Sequence, residues 1–211
     1  MTVAGYYDDD QKFCILEELS LPALEELSFE IVSEQTSNIP PRPSYTPQLK
    51  SLIFRSRPPL KSLHISGNGC LGPIAITECL PLLPLLSYLK VEHIVRELNG
   101  IADALTWPVH PSDEDLPPRV CPQLKEIYFG YRDPWQLDRL PPELVIKMIL
   151  SRSVSRESSL SHVTVLECKE SEILADPRLV DCIANGLEFE GEKEWGMGSP
   201  AGSESSDGDS E

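Results

Sequence analysis

The 211-residue chain is short of positive charge: 18 Lys and Arg stand against 34 Asp and Glu, a formal net charge of -16 with a pI near 4.6. Phosphate backbones and anionic headgroups are held by basic footprints, so nucleic acid and membrane surfaces are not expected partners. Long apolar runs are lacking as well. The longest, Leu80 to Leu86, is interrupted by Pro81 and Pro84 and falls far short of the roughly 20 residues that cross a bilayer. Residues 1–10 include Asp8, Asp9 and Asp10 and no basic cluster leading into an apolar stretch. That is not the pattern of a secretory signal or transit peptide, and the expected compartment is the cytoplasm or nucleus.

Motifs for chemistry are also scarce. The six cysteines (Cys14, Cys70, Cys79, Cys121, Cys168, Cys182) form no Cys-x-x-Cys pair, and His64, His93, His110 and His162 stand at no spacing that puts zinc ligands on one turn. In a reducing compartment such cysteines are expected as small buried apolar residues, with neither disulfides nor a metal. No Gly-x-Ser-x-Gly, His-Glu-x-x-His or paired glycine fingerprint occurs. Ser66-Gly67-Asn68-Gly69 is not followed by Gly-Lys-Ser/Thr and reads as a turn after a strand. His64 and His162, with Glu126 and Tyr128 on a strand between them, have the residue types of a proton-transfer set, but polar residues are what any exposed sheet surface carries. No enzyme activity and no cofactor are expected.

What the chain has in abundance is leucine, 29 residues, and proline, 20. Aligning the leucines reveals a segment Leu-x-x-Leu-x-Leu, with branched or aromatic substitutes, that recurs five times. The copies begin at Leu24, Leu60, Leu86, Leu124 and Leu160, at intervals of 36, 26, 38 and 36 residues. Pro22, Pro59, Pro84 and Pro122 stand just before or near four of them, closing one segment and starting an extended one. Between copies the apolar spacing changes to that of a helix. Leu49, Leu52 and Ile53 fall at i, i+3, i+4, and Ile74 to Leu83, Ile94 to Leu105 and Leu144 to Leu150 carry the same period, the last behind Pro141-Pro142-Glu143, a good helix start.

Strands alternating with helices predict an α/β fold, an irregular leucine-rich repeat solenoid of about five strand–helix units with a parallel sheet on its concave side. Residues 1–12 are read as an acidic flank and 13–190 as the repeat domain, with a proline-rich surface loop at 107–122 and a cap at 173–190. In the cap, a helical stretch runs around Pro177, and the short strand Leu187 to Glu190 follows. Residues 191–211, rich in Gly, Ser and acids, are expected to be a disordered tail. The acidity is uneven: residues 1–30 hold eight acids and one base, residues 191–211 six and one, leaving 20 acids against 16 bases between. The repeat body is nearly balanced.

Along each strand the residue type alternates, so Leu63 and Ile65 are expected inward and Ser62, His64 and Ser66 outward. Applied to all copies, this predicts a protein-binding face of Glu26, Ser28, Glu30, Ser62, His64, Ser66, Tyr88, Lys90, Glu92, Glu126, Tyr128, His162 and Thr164. Tyr88 and Tyr128 are its expected anchors, since an aromatic with a polar tip offers large contact area at low entropy cost.

The order of these motifs, from "PPLKSLHISG" through "ITECLPLLPLLSYLKVEHI" and "CPQLKEIYFG" to "LSHVTVLEC" and "LVDCIANGLEFE", resembles the leucine-rich repeat region of basidiomycete F-box-like proteins, over roughly residues 13 to 190. The resemblance implies a non-catalytic module that holds the substrate of a cullin-type ubiquitin ligase. Docking on the ligase adaptor then requires an F-box supplied elsewhere, because nothing before Leu24 resembles one. Leu140 to Ile149 resembles the opening of an F-box, but the polar stretch Ser151 to Ser159 follows it, so it reads as a repeat helix. The alternatives are a truncated relic of such a receptor with no partner of its own, and a scaffold or adaptor unrelated to ubiquitin.

Overall fold

The computed structural model describes residues 2–6, 18–32, 46–67, 73–92, 98–108, 119–130, 140–153 and 160–193. Among them are seven strands: β1 (Thr2–Tyr6), β2 (Glu26–Val32), β3 (Ser62–Gly67), β4 (Tyr88–Glu92), β5 (Glu126–Gly130), β6 (His162–Lys169) and β7 (Glu188–Glu192). They form one open sheet whose spatial order is the chain order, every neighbouring pair parallel. Parallel neighbours require a crossover back to the same end of the sheet. Those crossovers carry helices α1 (Thr46–Ser56), α2 (Pro73–Cys79), α3 (Leu98–Leu105) and α4 (Pro142–Ser153), with α5 (Glu170–Leu174) and α6 (Val180–Ala184) between β6 and β7. The molecule is therefore α/β. No helix among the described residues is long and apolar enough to cross a membrane.

Each leucine copy becomes a strand together with its lead-in. The lead-in is a turn in three copies: the amide of Leu24 donates to the Leu21 carbonyl, Leu86 to Leu83 and Leu124 to Cys121, each at 3.2 Å. Pro22, Pro84 and Pro122 occupy the second position of these turns, where a fixed φ near -65° is what the turn needs. The next carbonyl then binds the following unit. Glu25 accepts from Lys61 and Ser62, Lys61 from Ser87 and Tyr88, Ser87 from Lys125 and Glu126, and Lys125 from Ser161 and His162, all within 2.7–3.1 Å. This ladder along equivalent positions stacks the units in register.

Register places the inward residues in two rows: Leu27, Leu63, Leu89, Ile127, Val163 and Phe189, then Phe29, Ile65, Val91, Phe129 and Val165. All are buried, and the apolar stripes of the helices close over them: Leu49, Leu52 and Ile53 of α1, Leu98, Ile101, Ala102 and Leu105 of α3, and Val145, Met148 and Ile149 of α4. Fully burying one such side chain contributes about 1.5–3 kcal/mol, so these rows are the main source of stability. Arg57, just past α1, has φ 41° and donates its amide to the Ile53 carbonyl at 2.8 Å, a left-handed helix stop at a position that normally favours glycine.

Several boundaries differ from those expected. Thr2–Tyr6, inside the acidic flank, adds a strand beside β2 that no leucine spacing announces. The stretch Ile173 to Ala184 is not one helix: it breaks into α5, a 3-10 turn at Pro177–Leu179, and α6. Pro177 has no amide to continue a helix and holds Asp176 extended, and the Asp176 carboxylate caps the Arg178 amide at 2.8 Å. β7 runs two residues into the stretch read as tail, so Gly191 is a buried strand residue. Residues 194–211, and with them the rest of the expected tail, lie outside the described residues, as do residues 93–97 at the start of the third expected helix.

The described ends of the proline-rich loop are only partly at the surface, with Pro108 and Arg119 exposed. Trp107 and Cys121 are buried, while residues 109–118 lie outside the described residues. Arg152 of α4, 0% exposed, reaches across to both ends. Its Nε donates to the Leu105 carbonyl at 2.9 Å, Nη1 to Cys121 at 3.1 Å and Nη2 to Val120 at 2.8 Å. The guanidinium lies 4.6 Å from the Trp107 ring centroid, and the indole Nε1 donates to the Val120 carbonyl at 3.0 Å.

Candidate functional site

The helices and the inward rows share one core, so the other side of the sheet carries the alternate residues of each strand. Register sorts those of β2 to β7 into three rows. The first is Glu26, Ser62, Tyr88, Glu126, His162 and Glu188; the second Ser28, His64, Lys90, Tyr128, Thr164 and Glu190; the third Glu30, Ser66, Glu92 and Gly130. All thirteen residues of the expected face fall in these rows, on neighbouring strands spaced about 4.8 Å apart. Two of them offer little contact surface. Thr164 is 4% exposed, its hydroxyl 3.0 Å from His162 Nε2, so the imidazole covers it, and Ser66, 9% exposed, is a short side chain set between Glu30 and Glu92.

A network occupies the centre of the face. His64 Nε2 lies 2.8 Å from Glu92 Oε2, and Nδ1 lies 3.2 Å from Ser28 Oγ. With Nε2 donating to the carboxylate, Nδ1 accepts from the serine hydroxyl. Lys90 Nζ is 3.0 Å from the same Glu92 oxygen and 4.8 Å from the Tyr128 ring centroid, a cation held between a carboxylate and an aromatic face. Burial alone would raise the Glu92 carboxyl, but the hydrogen bonds from Lys90 and His64, with the Lys90 charge, outweigh it and hold it below the ordinary carboxylate range. Lys90 is the counterpart. Burial disfavours its charge, and the bond to Glu92, the charge of Glu92 and the two tyrosines raise it nonetheless. Burial also pushes the Tyr88 hydroxyl up, so it stays protonated.

Tyr128 does not stand upright. Its ring lies along the strand over Gly130, where a Cβ would sit 2.5 Å from Cε1 and 2.9 Å from Oη. Glycine at the end of the third row is what lets the ring lie flat beneath Lys90. At the far end His162 Nδ1 is 3.2 Å from Glu188 Oε2.

The two histidines do not converge. They stand three strands apart, roughly 14 Å at the usual strand spacing, each tied to a different glutamate. Glu126 and Tyr128 between them bond to neither. Comparison with protein-family models, curated proteins and solved structures finds no match. The face therefore stands on its own geometry.

That geometry includes residues that the expected face left out. Glu188 and Glu190 extend the first two rows onto β7, and the alternation Leu187-x-Phe189 was the available signal for them. Across the rows six glutamates meet one lysine, so the face is acidic although the repeat body is nearly balanced. Cys79, Cys121 and Cys168 are buried, and burial pushes the first two thiols up to about 12, which leaves them unreactive at neutral pH. Cys14 and Cys70 lie outside the described residues. A separate apolar hollow of about 440 Å³ lies at the strand-start edge, lined by Phe54, Arg57, Pro58, Leu82, Pro84 and Leu85 among others.

Proposed function

We propose that this chain is a non-catalytic protein-interaction module, a leucine-rich repeat solenoid whose parallel sheet is the concave recognition side, serving as the substrate-binding repeats of an F-box-type ubiquitin-ligase receptor. The observation that carries the interaction reading is the register. Five copies of one motif, read as strands, align their outward residues into three continuous rows that no described helix covers. An unobstructed, ordered, polar surface with two tyrosines is what a recognition face requires. Glu126 and Glu26 are exposed, Tyr88 and Tyr128 half-buried, so contact surface and anchoring are both on offer. The ligase role rests on the resemblance of the motif order, with the adaptor reached through an F-box from elsewhere.

The test is affinity purification of the full chain from its native extract, comparing wild type with Tyr88→Ser combined with Tyr128→Ser. The expected result is loss of the captured proteins in the double variant with unchanged far-UV dichroism. Capture that is indifferent to the two tyrosines would reject the face. Ubiquitin-ligase subunits among the captured proteins support the receptor role, and a partner set without them leaves a scaffold instead.

A further inference from the structure

The way the sheet face holds its own lysine shows what else it can hold. Lys90 is gripped by two groups, the Glu92 carboxylate at 3.0 Å and the Tyr128 ring at 4.8 Å from its centroid. Tyr128 is the cross-strand neighbour of Lys90 on β5. The same two types of group recur one row over, where Tyr88 on β4 stands directly opposite Glu126 on β5. Directly opposed residues have Cβ atoms about 5 Å apart, within reach of a single ammonium or guanidinium placed over the ring.

The two pairs differ in what faces them. Glu92 is matched by Lys90 and His64. The Glu126 side chain is exposed, and its carboxylate makes no ion pair or hydrogen bond with any described residue. Its row neighbours are Tyr88 and His162, and Glu26 and Glu188 close the row at either end. Glu26 and Glu188 lie about 14 and 10 Å from Glu126 at the usual strand spacing, each on the line a segment would follow across the strands. The net charge of the whole face is negative, and it complements a cation.

We propose that Tyr88 and Glu126 form a subsite for a lysine or arginine side chain, and that the partner of this face presents a basic segment laid across the strands. This rests on the sheet face being the recognition surface and adds the chemistry of the occupant. The partner's cation sits over the Tyr88 ring with its N–H groups donating to the Glu126 carboxylate, as Lys90 sits between Tyr128 and Glu92. Nucleic acid is not an alternative occupant, because the same six glutamates repel it.

The test uses the full chain and a fluorescein-labelled peptide of lysine and glycine, with a glutamine-for-lysine peptide as control. Anisotropy titrations compare wild type with Glu126→Gln, Tyr88→Leu, the double variant and Tyr88→Phe. An exposed ion pair and an exposed cation–π contact are each worth on the order of 0.5–1 kcal/mol, so each single change should weaken binding about threefold and the double change about tenfold. Tyr88→Phe keeps the ring and should bind as wild type. Amide shifts on β4 and β5 should accompany binding. The proposal is overturned by absence of lysine-dependent binding, by equal binding to all variants, or by shifts confined to the acidic stretches at the ends of the chain. Native partners lost with the two tyrosines but kept with Glu126→Gln would overturn the cation subsite while leaving the recognition face intact.

Discussion

Arg152 takes the position on α4 that the helical period assigns to a core residue, seven after Val145, and fills it with a charge. Burial pushes its guanidinium down to about 10, still far above neutrality, so it remains charged in the folded protein. No carboxylate among the described residues pairs with it; three backbone carbonyls and the Trp107 ring do. Those carbonyls belong to the end of α3 and to the turn before β5, two places that the proline-rich loop separates in sequence. The arginine thus replaces hydrogen bonds that regular structure would otherwise supply there. Arg152→Ala strands three carbonyls next to a cavity and should destabilise by about 3–5 kcal/mol. Arg152→Lys, which keeps the charge but loses the planar fork, should fall between. Urea melts of the three proteins check this, and a cost below about 1 kcal/mol for the alanine variant would mean that the loop ends are held by something else.

At the scale of elements, β6 is where the repeat changes character. Its pairing with β7 slips between Val165 and Lys169, and the extra residues form a bulge. The bulge brings the backbone of Cys168 and Glu170 against Gly191, where a Cβ would lie 2.7 Å from the Cys168 carbonyl oxygen and from the Glu170 nitrogen. Glu167 lies within this slipped stretch and is half-buried. Burial pushes that carboxyl from about 4.5 up to about 7, against a bond from the Leu140 amide that favours the anion. The folded state therefore holds a proton more tightly than the unfolded chain. Stability should fall as pH rises from about 4.5 through about 7 and level off above, since the raised value disfavours the ionised form. Glu167→Gln should remove that part of the pH dependence, as judged by thermal midpoints across this range. An unchanged slope in the variant would reject the assignment. Bulge and half-buried acid were not legible in the sequence, because Leu166-Glu167-Cys168 carries no spacing that distinguishes a slipped strand from an ordinary one. The five regular strands were legible, because period two with leucine at the lead-in repeats where each unit must bury the same two side chains against its neighbours. The outward rows followed from the same alternation. Arg152 was not legible for a related reason: the apolar spacing of α4 ends at Leu150, just before the Ser151 and Arg152 that tie it down.

At the scale of the whole molecule, chain order equals spatial order, so each strand and each helix packs chiefly on its immediate neighbours in sequence. On the proposed solenoid reading, stability is a sum of unit and nearest-neighbour interface terms along the row. Position in the row should then decide how far damage spreads. Leu89, 0% exposed, lies between Leu63 and Ile127 in the middle of the inner row. Phe189, 9% exposed, has one neighbouring strand in its row and ends it. Leu89→Ala should cost about 3–4 kcal/mol and speed amide exchange in β3, β4 and β5 together, because its cavity opens two interfaces. Phe189→Ala removes a larger side chain, yet its effect should stay in β7 and the adjoining edge of β6, leaving protection in β3 and β4 as in wild type. Hydrogen exchange resolved by strand separates the two cases. If Phe189→Ala lowers protection evenly from β2 to β7, the sheet melts as one cooperative block and the stacked-unit description fails. If its effect is confined to the end, the rows of the face on β3 to β5 keep their geometry when the terminal unit opens, and the polar network around His64 and Lys90 survives with them.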